Sequence, residues 1–401
     1  MTSSNPYDRW QALIAGLYMS IVGYSVLAGI PVISTAWSSL LGFSEPQVGR
    51  VAGADLGGLS AGAVLAALVI SRCNRRWLIV ASIGGAVVTN GLCLLFQDYT
   101  STLILRFLAG SASGVFTGVA VATLGARTDA ARAFNYLLFS FAFVQAAELY
   151  WLPKLSMSSI YTVFAVSYLP ALLLLPWVPA RAKGAANHES QTKAAPTVQE
   201  HHLNEGMTIH SSLVPWLCLL AMALTYVNIG AYWTYIELAA SDALLDGEWV
   251  SSVLVWVSFF AVLGCFVATV ISDRFGLALP LLLTLLIHAA CVAILIPGID
   301  KARFFVSIYA FNFLWIFIDV YQMGSVARLD SNGRFASLMP AAQGLGQILG
   351  PNIAASLLAA SYGYTSVFAL CAGASLLAAL VYAVAYVKLS RDELEPNALG
   401  A

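Results

Sequence analysis

The chain has 401 residues, of which 60% are hydrophobic and 10% charged, with a formal net charge of -1. A soluble globular chain carries charge on about a quarter of its residues. The composition therefore excludes a soluble domain, and the near-zero net charge says nothing about partners.

A run of about 20 apolar residues matches the ~30 Å hydrocarbon core of a bilayer, and twelve such runs are predicted. The first, 10–36, is too long for a removable signal peptide and lacks a small-residue cleavage site. It offers Tyr18 and Tyr24, and Gly29-Ile30-Pro31 marks a point of bending. The second, 46–71, is rich in glycine (Gly53, Gly57, Gly58, Gly62) and contains Asp55; the loop Ser71-Arg72-Cys73-Asn74-Arg75-Arg76 follows it. The third covers 77–97. In the fourth, 101–125, Arg106, Gly110, Ser113 and Thr117 recur at steps of 4, 3 and 4 and so share one helix face. The fifth, 133–153, carries Gln145 and Glu148, and the sixth covers 160–179.

Residues 181–212 are polar, rich in Ala and Gly, and without an apolar face, so they read as a cytoplasmic linker. Four of the five histidines are here, and they read as solvated linker residues rather than metal ligands.

Six further spans follow. The seventh, 213–238, has Tyr226, Gly230, Trp233 and Glu237 on one face, with Asn228, Tyr232 and Tyr235 alongside. The eighth, 250–272, leads into Asp273-Arg274-Phe275-Gly276. The ninth, 278–297, holds His288, read as a packing histidine. In the tenth, 303–327, Asn312, Trp315, Asp319 and Gln322 step by 3, 4 and 3 along one face. The eleventh, 335–360, carries Gln343, Gln347 and Gly350-Pro351; the twelfth is 364–388. The six cysteines are scattered singly and read as small apolar packing residues.

The spans divide into an amino-terminal bundle of six (1–180) and a carboxy-terminal bundle of six (213–390), with a cytoplasmic tail at 391–401. With the amino terminus inside, 14 of the 19 lysines and arginines fall on the inner side. That bias places both termini in the cytoplasm, and the short loops suggest a bacterial inner membrane. The expected architecture is an all-α membrane protein of two pseudo-symmetric six-helix bundles, which can rock about a site between them.

The loop after the eighth span, Asp273-Arg274-Phe275-Gly276, resembles the Asp-Arg-x-Gly core of the loop signature of the major facilitator superfamily. Arg72, Arg75 and Arg76 keep its basic positions in the first half, where Ser71 and Asn74 replace the acid and the glycine. Arg106 to Gly110 is similar to the Arg-x-x-x-Gly element associated with proton-coupled members. Gly346 to Pro351 resembles the antiporter signature, but that signature belongs to the fifth span, which lacks it here. The resemblance implies alternating-access transport, with Arg72, Arg75, Arg76, Asp273 and Arg274 as gating-loop residues and an asymmetric latch at the cytoplasmic side.

A charge at the bilayer centre costs about 2.5–3.5 kcal/mol even on the lenient insertion scale. Apart from the basic residues at span ends, five lie within predicted spans: Asp55, Arg106, Glu148, Glu237 and Asp319. Asp55, Arg106, Glu148 and Asp319 are the proton-coupling candidates, with Asp55 or Glu148 as partner of Arg106 and the glycine-rich setting favouring Asp55. Tyr24, Thr117, Gln145, Tyr226, Asn228, Tyr232, Trp233, Glu237, Asn312, Trp315, Gln322, Gln343 and Gln347 are the candidate cavity residues. The expected activity is proton-driven movement of a small organic solute, aromatic or cationic, by a monomer; uptake is slightly favoured over efflux. No cofactor, metal or nucleic acid is expected, and no phosphate-cradling motif is present for ATP-driven pumping. A transporter-like sensor or a lipid transporter is the alternative class.

Overall fold

The computed structural model describes residues 5–180, 213–271, 276, 278–329, 335 and 338–398. Twelve main helices are seen: α1 (Trp10–Leu41), α2 (Glu45–Val69), α3 (Arg75–Leu95), α4 (Tyr99–Gly125), α5 (Ala130–Trp151), α6 (Met157–Ser167), α7 (Leu213–Asp242), α8 (Gly247–Ile271), α9 (Ala278–Ala293), α10 (Lys301–Leu329), α11 (Met339–Ala359) and α12 (Gly363–Ala398). Among the described residues, nine candidate spans are long and apolar enough to cross a bilayer. The protein is a multi-pass membrane protein. Helix α9 is a shorter apolar helix. Helices α5 and α11 carry the polar side chains Gln145, Glu148, Gln343, Gln347 and Asn352, and both lie where the halves meet.

Local chemistry explains where these helices start and stop. Asn74 caps α3, its Oδ1 accepting from the Arg76 amide at 3.0 Å, and Asp98 caps α4 through the Ser101 amide. The residue standing where the loop signature has glycine is therefore a helix cap. The sixth span departs from the single helix expected. Pro170 supplies no N–H, so the chain tightens into i→i−3 bonds (Leu169 to Val166, Ala171 to Tyr168) before a short helix at Pro170–Leu174 and a turn at Leu175–Trp177. Tyr18 donates to the carbonyl of Ser167 at 2.6 Å at this break. At the other extreme, α12 runs to Ala398, ten residues past the expected end of the last span.

Each half packs in the same pattern. Helix α2 lies on α4 as α8 lies on α10, α1 on α4 as α7 on α10, and α3 on α6 as α9 on α12. The halves meet through α2 with α11 and α5 with α8, two contacts that the repeat interchanges, and through α1 with α7. Helix association in a membrane relies on close packing and small residues, because lipid is as apolar as the helix surface. Helices α2 and α4 show this most clearly: a Cβ on Gly58 would overlap the carbonyl oxygen of Phe107, and one on Gly114 that of Leu59.

Alternating helices joined by short turns give the bundle a near end, where α1 begins, and a far end. Among the described residues, hydrogen bonds cross the halves at mid-depth and towards the far end. Trp233 Nε1 donates to the Leu27 carbonyl at 3.1 Å, Tyr235 OH to the Glu45 carbonyl at 2.9 Å, and Ser251 Oγ to the Leu149 carbonyl at 3.3 Å.

Candidate functional site

The close approach of α2 and α4 sets the first feature. Glycine at position 110 leaves room for Asp55, whose Oδ1 would lie 2.9 Å from a Cβ there. Arg106 Nε and Nη2 both donate to Asp55 Oδ2, at 2.8 and 2.6 Å, and Nη1 donates to Asn90 Oδ1 at 2.7 Å. The guanidinium lies 5.8 Å from the Tyr161 ring centroid and 6.0 Å from that of Phe164. Every member of the pair and Asn90 is buried. Arg106 thus pairs with Asp55, the partner that the glycine-rich helix favours, and Glu148 stands apart.

Glu148 instead accepts a 2.5 Å hydrogen bond from Ser25 of α1, beside Gly29. Its Oε2 is buried and has no partner among the described residues, and the same holds for Glu237 Oε2. Neither carboxyl has a basic residue in ion-pair contact; among the described residues, the buried ion pair is Arg106 with Asp55.

The tenth helix carries the second feature. Tyr226 OH donates to Asp319 Oδ2 at 2.7 Å, and Gln322 Nε2 donates to Thr225 Oγ1 at 2.7 Å, so α7 supports this face of α10. Asn312 bonds its own helix at the Ile308 carbonyl. Yet Asn312 Oδ1, Asp319 Oδ1 and Gln322 Oε1 are buried without partners, and Trp315 Nε1 faces the Tyr226–Asp319 pair without completing a hydrogen bond. Leaving a buried polar group unsatisfied costs about 1–3 kcal/mol. Four such groups on one face form a column of unmet hydrogen-bonding capacity.

The column borders a cavity of about 40 Å³ between the halves, lined by Leu138, Phe141, Ala142 and Gln145 of α5, Ala261 and Val262 of α8, and Asn312, Trp315 and Ile316 of α10. Aromatic rings surround it: Tyr24 meets Phe141 edge-on at 6.3 Å, and Trp233 meets Trp315 at 6.1 Å.

The other sequence-derived candidates are spread more widely. Asn228 donates to Ser375 Oγ at 2.7 Å and lies beside His288 Nδ1, while Tyr232 bonds Ser307 and stacks on Phe311 at 3.9 Å. Both belong to the interior of the second half rather than to the cavity, because α7 is buried on nearly every face and its polar residues point several ways. Thr117 is also packed inside its half, against Gly23, with its hydroxyl on the Ser113 carbonyl. Gln347 is buried with its backbone against Gly230, and Gln343 Nε2 has no partner. Arg76 donates to the carbonyls of Val178 and Pro176, Arg75 lies over the Tyr7 ring, and Arg72 is exposed. Asp273 and Arg274, and the linker histidines, lie outside the described residues.

Sequence reasoning passed over Asn90 and Ser25, the partners of Arg106 and Glu148, since lone Asn and Ser residues are ordinary in spans. It also missed the apolar walls Leu138, Phe141, Ala142, Ala261, Val262 and Ile316, which carry no chemical signal.

Two pseudo-symmetric helical bundles enclosing a polar site between them define a membrane transporter, not an enzyme. The chain belongs to the Major Facilitator Superfamily, whose family model matches residues 12–351, and it is a secondary transporter of that family. Among solved structures it is similar to the nucleoside transporter NupG, with a TM-score of 0.69 at 13% identity over 94% of this chain and 99% of that one. A mutant of NupG gives a TM-score of 0.72 at 11% identity, over 94% of this chain and 100% of that one. The human organic anion transporter MFSD10 gives a TM-score of 0.61 at 13% identity, over 92% and 98%. No curated protein sequence matches the chain.

Proposed function

We propose that this chain is a proton-coupled secondary active transporter that moves a small aromatic or cationic organic solute by alternating access. It acts as a monomer in the inner membrane, with both termini in the cytoplasm and uptake the favoured direction. The observation that carries this reading is the α10 column, in which Asp319 is held by Tyr226 and its Oδ1 has no partner among the described residues. A carboxylate in that setting needs water, a cation or a proton, so it is the natural place for coupling. Glu148, held only by Ser25, is a second such group.

By their names, the structural neighbours carry nucleosides and organic anions, two unlike cargoes, so the cargo is read from this chain's own side chains. The residues lining the cavity include no base, and Arg106 is already paired with Asp55. That setting favours a cationic or hydrogen-bond-donating solute over an anion, and the rings of Phe141, Trp315, Trp233 and Tyr24 suit an aromatic body. One proton crossing 100 mV supplies about 2.3 kcal/mol, enough for roughly a fifty-fold solute gradient.

The test is transport into proteoliposomes under an imposed pH gradient, using a solute found by thermal-shift screening of aromatic amines and metabolites. Asp319→Asn should abolish gradient-driven accumulation while solute exchange at equal pH persists. Normal accumulation by both Asp319→Asn and Glu148→Gln would overturn the proton-coupling assignment.

A further inference from the structure

Two hollows meet where α5 crosses α8. Ala142 and Val262 line the central cavity, and the same two residues line a groove of about 380 Å³ on the other side of them. Phe139 and Phe143 of α5 and Phe266 of α8, which line that groove, are exposed. In a membrane protein such apolar surface faces acyl chains. The partition between hydrocarbon and the central cavity is thus one alanine and one valine thick. In front of it, the rings of Phe143 and Phe259 meet edge to face at 5.3 Å across the seam between the halves.

We propose that this seam is a lateral portal, through which a membrane-dissolved aromatic amine enters the central cavity past the Phe143–Phe259 contact. The proposal rests on the central cavity being the solute site. The occupant follows from the two ends of the path. The groove is lined by Phe, Ala, Val and Leu and accepts only an apolar or aromatic body. The cavity behind it presents Gln145 and the unpartnered Asn312 Oδ1, which call for a hydrogen-bond donor. A lipid acyl chain satisfies the first requirement and not the second. A hydrophilic solute satisfies the second and is excluded by the first.

The experiment uses the full-length protein in lipid nanodiscs and the lipophilic aromatic cation rhodamine 6G, with association and dissociation followed by stopped flow. A gate on the route changes both rates together and leaves Kd unaltered, whereas a contact within the binding site changes Kd. Phe143→Ala should speed both rates by about threefold or more, and a disulfide joining Phe143→Cys to Phe259→Cys should slow both by about tenfold until it is reduced. Recovery on reduction shows that the bridged protein is folded. Binding with rates indifferent to both changes overturns the portal and leaves the solute site standing. Absence of dye binding to the unmodified protein overturns the aromatic-cation solute site, and the portal with it.

Discussion

Asp55 is the acid on which the buried charge of Arg106 depends, since Asn90 is its other hydrogen-bond acceptor and is neutral. Removing one partner of a buried ion pair strands the other, at about 3–5 kcal/mol. Asp55→Asn should therefore lower thermal stability in detergent sharply, and the double change Asp55→Asn with Arg106→Gln should recover much of the loss, measured by the unfolding midpoint. At this scale the sequence was informative wherever a residue conflicted with its solvent. Asp55, Arg106, Glu148, Glu237 and Asp319 are conspicuous because a charge in hydrocarbon is costly, and the steps 3, 4 and 3 place Asn312, Trp315, Asp319 and Gln322 on one face. Which acid Arg106 would take was not legible from depth alone. It is decided by Gly110, which lets the α2 backbone come within reach.

Element boundaries were legible where capping chemistry marks them and less so where a proline alters the ladder. The sixth span reads as one apolar run, yet Pro170 divides it and leaves Tyr18 bonded to the Ser167 carbonyl. Tyr18 reads from sequence only as a tyrosine offered by the first span, and this backbone need could not have been seen there. Helix α7 shows the opposite difficulty. Because nearly all its faces are buried, periodicity does not separate cavity residues from interior ones, and Asn228 and Tyr232 bond Ser375 and Ser307 within the second half. The α2–α4 contact is the element on which the rest depends. Gly58→Leu should force these helices apart, because its first carbon already meets the Phe107 carbonyl. Overpacking costs about 1–3 kcal/mol and sometimes more. The expected readout is a lowered unfolding midpoint together with weakened Asp55–Arg106 pairing.

For the whole molecule, twelve spans in two matching sets were visible in the sequence because a bilayer imposes a fixed length on each. How the two sets touch was not, since the contacts rest on glycines and backbone carbonyls that hydropathy does not weigh. Tyr235 is one such contact, donating across to the Glu45 carbonyl. Its hydrogen bond is worth about 1 kcal/mol net, so Tyr235→Phe should shift the balance between facing states roughly fivefold towards opening at the far end. Distances between spin labels on Thr100→Cys and Lys301→Cys would report it as a larger population at long separation.

The two seams between the halves are not alike. Along α2 and α11, Gly49 lies against the Pro351 carbonyl and Gly53 against the Asn352 side chain and the Ile348 carbonyl, while α5 and α8 meet through the Phe143 and Phe259 rings. The expectation is that the halves turn on the tighter α2–α11 margin, as a book on its spine, and part more along the α5–α8 edge. Lateral pressure in the bilayer then gains leverage on one margin only. A stiffer or more tightly packed membrane would tend to hold the pages shut before it strained the binding.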